Sequence, residues 1–242
     1  MNLPYEIFGL PQEHGVLIVV DHASNHVPAD IDLGIDDAIL EDHIAYDIGV
    51  ANVARYMAET PGYLSILGTV SRLVVDLNRY PDEQAVIPMR SDGVEISGNA
   101  IGEAERAARL NRYFHPYHDR VAGLIRDLNP ALTLFLHSFT PRLQTEEDAA
   151  VRPWQVGVLY NQYEAASRLA IQFLEQEELV VGDQQPYSGK DLHATMKRQA
   201  EDIGKAYTEI EIRQDLVSEE TGQRRFADIL LRICEKIRTG LA

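Results

Sequence analysis

Only one cysteine, Cys234, occurs in 242 residues, so an intrachain disulfide and a cysteine-built metal site are both excluded. Positive charge is scarce as well: 22 Lys and Arg stand against 38 Asp and Glu, a net charge of −16. Such a surface repels phosphate backbones and anionic lipid heads, which argues against nucleic-acid or membrane partners held by a basic patch. No run approaches the roughly 18 apolar residues needed to cross a bilayer. The opening Met1-Asn-Leu-Pro-Tyr-Glu6 has no basic stretch leading into an apolar one, so a cytoplasmic protein is expected. A Gly-x-Ser-x-Gly elbow is missing, which excludes the common serine-hydrolase arrangement. Where a glycine-rich phosphate loop would follow the first strong strand, the chain reads His22-Ala-Ser-Asn25, so a nucleotide-binding reading fails.

What remains is an ordinary globular composition, 45% hydrophobic and 25% charged, long enough to bury a substantial core. Gly15-Val-Leu-Ile-Val-Val-Asp21 and Leu132-Thr-Leu-Phe-Leu136 are continuous apolar runs, the signature of strands buried on both faces. Further strands are predicted at Tyr63–Leu67, Leu73–Asp76, Gln155–Tyr160, Leu179–Val181 and Tyr207–Arg213. Helical spacing covers Asp37–Thr60, Ile101–Leu128 (kinked at Pro116), Glu164–Glu177 and Thr221–Thr239, with Cys234 on the apolar face of the last. Loops are expected at Arg79–Gly98 and Gly182–Asp191, both placed to cover a site. Strands alternating with helical crossovers imply an α/β fold with a mainly parallel sheet and helices on both faces. No linker interrupts the pattern, so one domain over 1–242 is expected.

The active site of such a sheet lies at the carboxyl ends of its strands. His22 and His137 each follow an apolar strand and point to that rim, which makes a metal pair plausible. A third ligand is needed. Asp47 is the leading candidate, with His43 four residues earlier on the same predicted helix face; a simple pairing of those two on a solvated face is the competing use. On the strand Glu209-Ile-Glu-Ile-Arg213 the polar residues share one face. Two carboxylates there fit a polar cavity and offer Glu211 as a general base, although an edge strand with one wet face reads the same way. Arg72, Arg79 and Arg213 are candidate clamps for an acidic substrate, with ion pairs to Asp76 or Asp47 as the alternative.

Five segments carry a more specific signal: Asp21-His-Ala-Ser-Asn-His-Val-Pro28, His43-Ile-Ala-Tyr-Asp-Ile-Gly49, Ser71-Arg-Leu-Val-Val-Asp-Leu-Asn-Arg79, His137-Ser-Phe-Thr-Pro141 and Glu211-Ile-Arg-Gln-Asp-Leu216. In order, and over most of the chain, they resemble the N-formylglutamate amidohydrolase family. The resemblance implies a three-layer α/β/α sandwich with a mainly parallel mixed sheet, like that of zinc-dependent exopeptidases. It also implies zinc or another divalent metal on His22, Asp47 and His137, with catalysis by Glu211 and Arg72. Arg79, Arg213 and Asn78 would then bind a small anionic N-acyl amino acid. One departure is visible. Carboxypeptidase-like sites place a Glu three residues after the first His, and here that position is Asn25, a weak ligand. The alternatives are an amidase for another N-acyl amino acid or small peptide, and a non-catalytic protein that binds an acidic ligand.

Overall fold

The computed structural model describes residues 3–143, 145, 151–190 and 194–241. Nine strands occur among these residues: β1 (Tyr5–Gly9), β2 (Val16–Val20), β3 (Tyr63–Gly68), β4 (Arg90–Ser91), β5 (Val94–Glu95), β6 (Leu132–Phe139), β7 (Val156–Leu159), β8 (Val181–Asp183) and β9 (Tyr207–Arg213). The α-helices are α1 (Val50–Met57), α2 (Glu103–Arg109), α3 (His115–Leu128), α4 (Ala165–Gln176), α5 (Ala194–Gln199) and α6 (Glu220–Leu241). Seven strands form one sheet in the order β1-β3-β2-β6-β9-β7-β8, and β4-β5 make a separate hairpin. β3, β2, β6 and β9 run parallel at the centre, while β1 and the β7-β8 pair join antiparallel at the two sides.

The period-two alternation of the strands divides the core into two layers. Val16, Ile18 and Val20 of β2, Leu132, Leu134 and Leu136 of β6, and Ile210 and Ile212 of β9 pack under α1, α4 and α6. Cys234 lies buried in this layer. Leu17, Val19, Phe135 and Tyr207 point to the opposite layer, with Tyr117 and Val121 of α3 and Met196 of α5. The fold is therefore the expected three-layer α/β/α sandwich around a mainly parallel mixed sheet.

Two predicted elements are corrected. The helix expected over Asp37–Thr60 is a short 3-10 turn at Asp37–Glu41 followed, after a run of turns, by α1. Gly49 (φ +85°) starts α1, and a Cβ there would lie 2.1 Å from the Val217 carbonyl oxygen. Apolar residues such as Ile44 bury from this irregular segment just as they would from a helix, which is why the spacing misleads. Leu73–Asp76 is not a strand either. The side chains of Leu73, Val74 and Val75 fill the second layer, while the backbone is satisfied by Ser71, Val86 and Asn99 instead of a sheet neighbour.

Pro116 does mark a distortion. A π-helical turn at Leu110–Phe114 separates α2 from α3, and the proline enters the first turn of α3, where its missing N–H costs nothing. β1 and α5 were not anticipated. Of the loop expected at Gly182–Asp191, Asp191 lies outside the described residues.

Candidate active site

The rim of the second layer collects the polar residues of the sheet. In register, His137 of β6 stands beside Glu211 of β9, and Asp21 follows β2 on the adjoining strand. His22 comes from the turn after β2. Asp47 arrives from the irregular segment before α1, where its backbone N–H donates to the carbonyl of His22 itself at 2.9 Å. Ser138 fastens the same segment to β6, its hydroxyl donating to the Ile48 carbonyl at 3.0 Å and its backbone N–H to Asp47 Oδ2 at 3.4 Å. His22 and Asp47 are thus joined peptide to peptide, and His137 lies on the neighbouring strand.

One donor atom each from His22, Asp47 and His137 lies within 4.8 Å of the others, and all three residues are buried. Asp47 Oδ2 is 2.8 Å from His137 Nδ1 and 3.5 Å from His22 Nδ1. The opposite nitrogen of His22, Nε2, donates to Asp76 Oδ1 at 2.7 Å, which fixes the tautomer and leaves Nδ1 with a lone pair and no hydrogen-bond partner. Carboxylates behind ligating histidines hold rings in this way. Behind His137 the arrangement differs: its Nε2 lies 4.0 Å from Asp21 Oδ2, beyond hydrogen-bonding distance and with neither atom partnered, while Tyr117 donates to Asp21 Oδ1 at 2.8 Å.

Of the other candidates for a third ligand, His43 hydrogen-bonds to Asp42 and, at 3.1 Å, to Asp92. The Asn25 amide donates to the Leu40 carbonyl at 3.0 Å and to Glu41, away from the cluster.

Charge is unevenly supplied. Asp21, Asp47, Asp76, Glu209 and Glu211 are all buried, against the half-buried guanidinium of Arg72, which spans Asp47 Oδ1 and Asp76 Oδ2 at 3.3 Å each. Uncompensated buried carboxylates cost several kcal/mol each, and the titration behaviour records that shortage. Burial pushes Glu209 up to about 8 and Glu211 up to about 7, with the other carboxylates adding to the rise. Burial would likewise raise Asp47 and Asp76. The neighbouring histidines hold Asp47 below the usual carboxylate range, and Arg72 with His22 does the same for Asp76. Burial disfavours a charged His137, but its hydrogen bond to Asp47 and the surrounding carboxylates outweigh that and raise it to about 10. Unpartnered nitrogens on His22 and His137, an excess of buried carboxyls and an acid behind the His22 ring fit a divalent cation.

The cluster opens into a cleft of about 180 Å³ whose lining includes Arg72, Asn78, Arg79, Tyr187, Glu209 and Glu211. Oε2 of Glu211 is buried without a hydrogen-bond partner. Asn78 and Arg79 stand at the rim; Arg79 Nε is 3.8 Å from Asp76, and the Asn78 side-chain oxygen accepts from the Thr195 backbone at 3.0 Å. Arg213 is not brought in. Its guanidinium is held by Asp215 at 2.8 Å and by the carbonyls of Arg152 and Trp154, because the last residue of β9 turns outward past the cleft. Sequence reasoning missed Tyr187, the hold of Asp76 on His22 and the place of Asp21 beside His137. The two acids lay within the quoted segments, but for Tyr187 the single signal was a loop expected to cover the site.

A family model for N-formylglutamate amidohydrolase matches residues 14–218. A gene product of Agrobacterium tumefaciens has a crystal structure similar to this chain at a TM-score of 0.92, with 29% identity over 99% of this chain and 96% of that one. An N-formylglutamate amidohydrolase of Ralstonia eutropha JMP134 superposes at a TM-score of 0.72, with 19% identity over 99% and 100% of the two chains. No match was found among curated proteins. Together with the fold and the cleft, the match across most of its length establishes that this chain belongs to the N-formylglutamate amidohydrolase family.

Proposed function

We propose that the protein is a metal-dependent amidohydrolase that cleaves the N-acyl bond of a small acidic N-acyl amino acid, with N-formylglutamate as substrate and formate and glutamate as products. The observation that carries this reading is the convergence of His22, Asp47 and His137 within 4.8 Å, in a cleft also lined by the unpartnered carboxyl of Glu211.

His22, Asp47 and His137 would hold the cation, with Asp76 orienting the His22 ring. A divalent ion bound there supplies Lewis acidity, lowering the pKa of water and polarising a carbonyl. Glu211 takes the proton of the attacking water and returns one to the leaving amine. A carboxyl held near neutrality by burial suits both tasks, since proton transfer is most efficient when the pKa lies close to the working pH. Arg72 keeps Asp47 and Asp76 in place and adds positive charge beside the carbonyl. Arg79 and Asn78, at the rim, are placed to receive the substrate's carboxylates.

A larger acyl group or a short peptide is the second reading. A cavity of about 420 Å³ adjoins the cleft and shares His43, Arg72, Arg79 and Tyr187 with it. The deciding measurement is product release from N-formyl-, N-acetyl- and N-succinylglutamate by zinc-loaded protein. Formate release from the first, abolished by a chelator and restored by metal, is expected. Absence of turnover on all three would refute the hydrolase reading.

A further inference from the structure

Hydrolysis of an amide places negative charge on the carbonyl oxygen, here among Asp47, Glu209 and Glu211. Beyond the cation, the cleft needs a donor aimed at that oxygen. Arg72 was the donor expected from the sequence, yet its two terminal nitrogens are engaged by Asp47 and Asp76. Tyr187 is differently placed. It lines both the cleft and the adjoining cavity. Its phenol oxygen accepts a hydrogen bond from Arg152 Nη1 at 3.0 Å, and the guanidinium carbon lies 5.0 Å from the ring centroid. Arg152 is anchored in turn by the Thr140 carbonyl at 3.1 Å and by the face of Phe139.

Among the described residues Arg152 has no carboxylate partner, and the hydroxyl proton of Tyr187 has no acceptor. A phenol that already accepts from a cation is polarised toward donation, and its own proton remains available to the cleft. Burial, then the nearby charge of Glu211, holds this phenol above its ordinary value, so it keeps its proton.

We infer that Tyr187 is a catalytic residue whose hydroxyl donates a hydrogen bond to the developing oxyanion, and that Arg152 is the positioning residue that orients and polarises it. The inference rests on the hydrolase reading above. Tyr187 retains its proton throughout, so Glu211 remains the proton carrier.

The test uses zinc-loaded full-length protein and the Tyr187→Phe variant. A stabilising bond made in the transition state should cost about 10²- to 10³-fold in kcat when deleted, with KM and zinc content unchanged. Affinity for a phosphonamidate of glutamate, which presents tetrahedral oxygens, should fall by a similar factor, whereas affinity for glutamate itself should not. Arg152→Ala should show a smaller loss of the same kind, and Arg152→Lys should recover part of it. Unaltered kcat in Tyr187→Phe, or equal loss of affinity for phosphonamidate and glutamate, would overturn the assignment while leaving the hydrolase reading intact. A parent protein that turns over none of the acylated glutamates overturns both.

Discussion

Glu211 is held in conflict: burial favours its neutral form, while the proposed general-base role needs the anion for part of each cycle. Its carboxyl, raised to about 7, can serve both states near neutral pH. Replacing it with Gln keeps the shape and removes the proton acceptor, so kcat should fall by about 10²- to 10⁴-fold with zinc still bound; full activity would dismiss Glu211 from the role. His22→Ala and His137→Ala remove ligand atoms and should abolish stoichiometric zinc by elemental analysis. Asp76→Asn is a subtler probe. It spares every ligand atom but weakens the hold on His22 Nε2, and zinc affinity should drop about 10- to 100-fold. The proposed histidine ligands were legible because each comes at the polar end of an apolar run, His22 just after β2 and His137 within the last residues of β6. Tyr187 and Arg152 were not legible. Tyr187 reaches the cleft from a loop and Arg152 holds it from another, where no periodicity reports which way a side chain points. Arg213 misled for the opposite reason. Alternation placed it on the face of Glu211, but the final residue of β9 finds Asp215 outside the cleft.

At the scale of elements, the residues between the 3-10 turn and α1 matter most. A sequence with apolar residues at three- and four-residue intervals reads as a helix, yet here it folds as successive turns held by His22, Ser71, Arg72 and Ser138. The site needs that irregularity, since a continuous helix would not place the Asp47 backbone against the His22 carbonyl. Gly49 permits it through a positive φ and a close approach to Val217. Gly49→Ala is strained on both counts and should destabilise the fold by more than about 1 kcal/mol. Zinc uptake should fall with it, because Asp47 lies two residues away. Thermal unfolding and metal titration together would check this, and an unchanged melting temperature would contradict it. The strands β2, β6 and β9, by contrast, declared themselves through unbroken apolar runs or strict alternation. The mistaken strand at Leu73–Asp76 shows the limit of that signal: a short apolar run buries equally well in a loop packed under a sheet.

Over the whole molecule, acidity shapes both stability and approach. In metal-free protein, Glu209 and Glu211 titrate near 8 and 7 against 4.5 for an ordinary Glu. The unfolded chain therefore holds fewer protons across that interval, and stability falls as pH rises through it. His137, raised from 6.5 to about 10, contributes stability below 6.5 that is lost toward 10. Asp47 and Asp76, held low, lose theirs only in stronger acid. In chelator the melting temperature should peak near pH ~5 and decline toward pH ~9. The increment given by zinc should grow over the same range, since its ligands bind deprotonated; a metal-free protein that gains stability from pH ~5 to ~9 would refute the assignment.

The net charge of −16 also opposes the approach of a dianion, so added salt should raise kcat/KM for N-formylglutamate more than for a neutral analogue. The amide of Asp47 on the His22 carbonyl, and the pairing of His137 with Glu211 across adjacent strands, have one more consequence. Both belong to the scaffold, so the proposed socket would be finished before any ion arrived. Loading would then be a late insertion into a folded protein, and stripping the ion should idle the molecule without unravelling it.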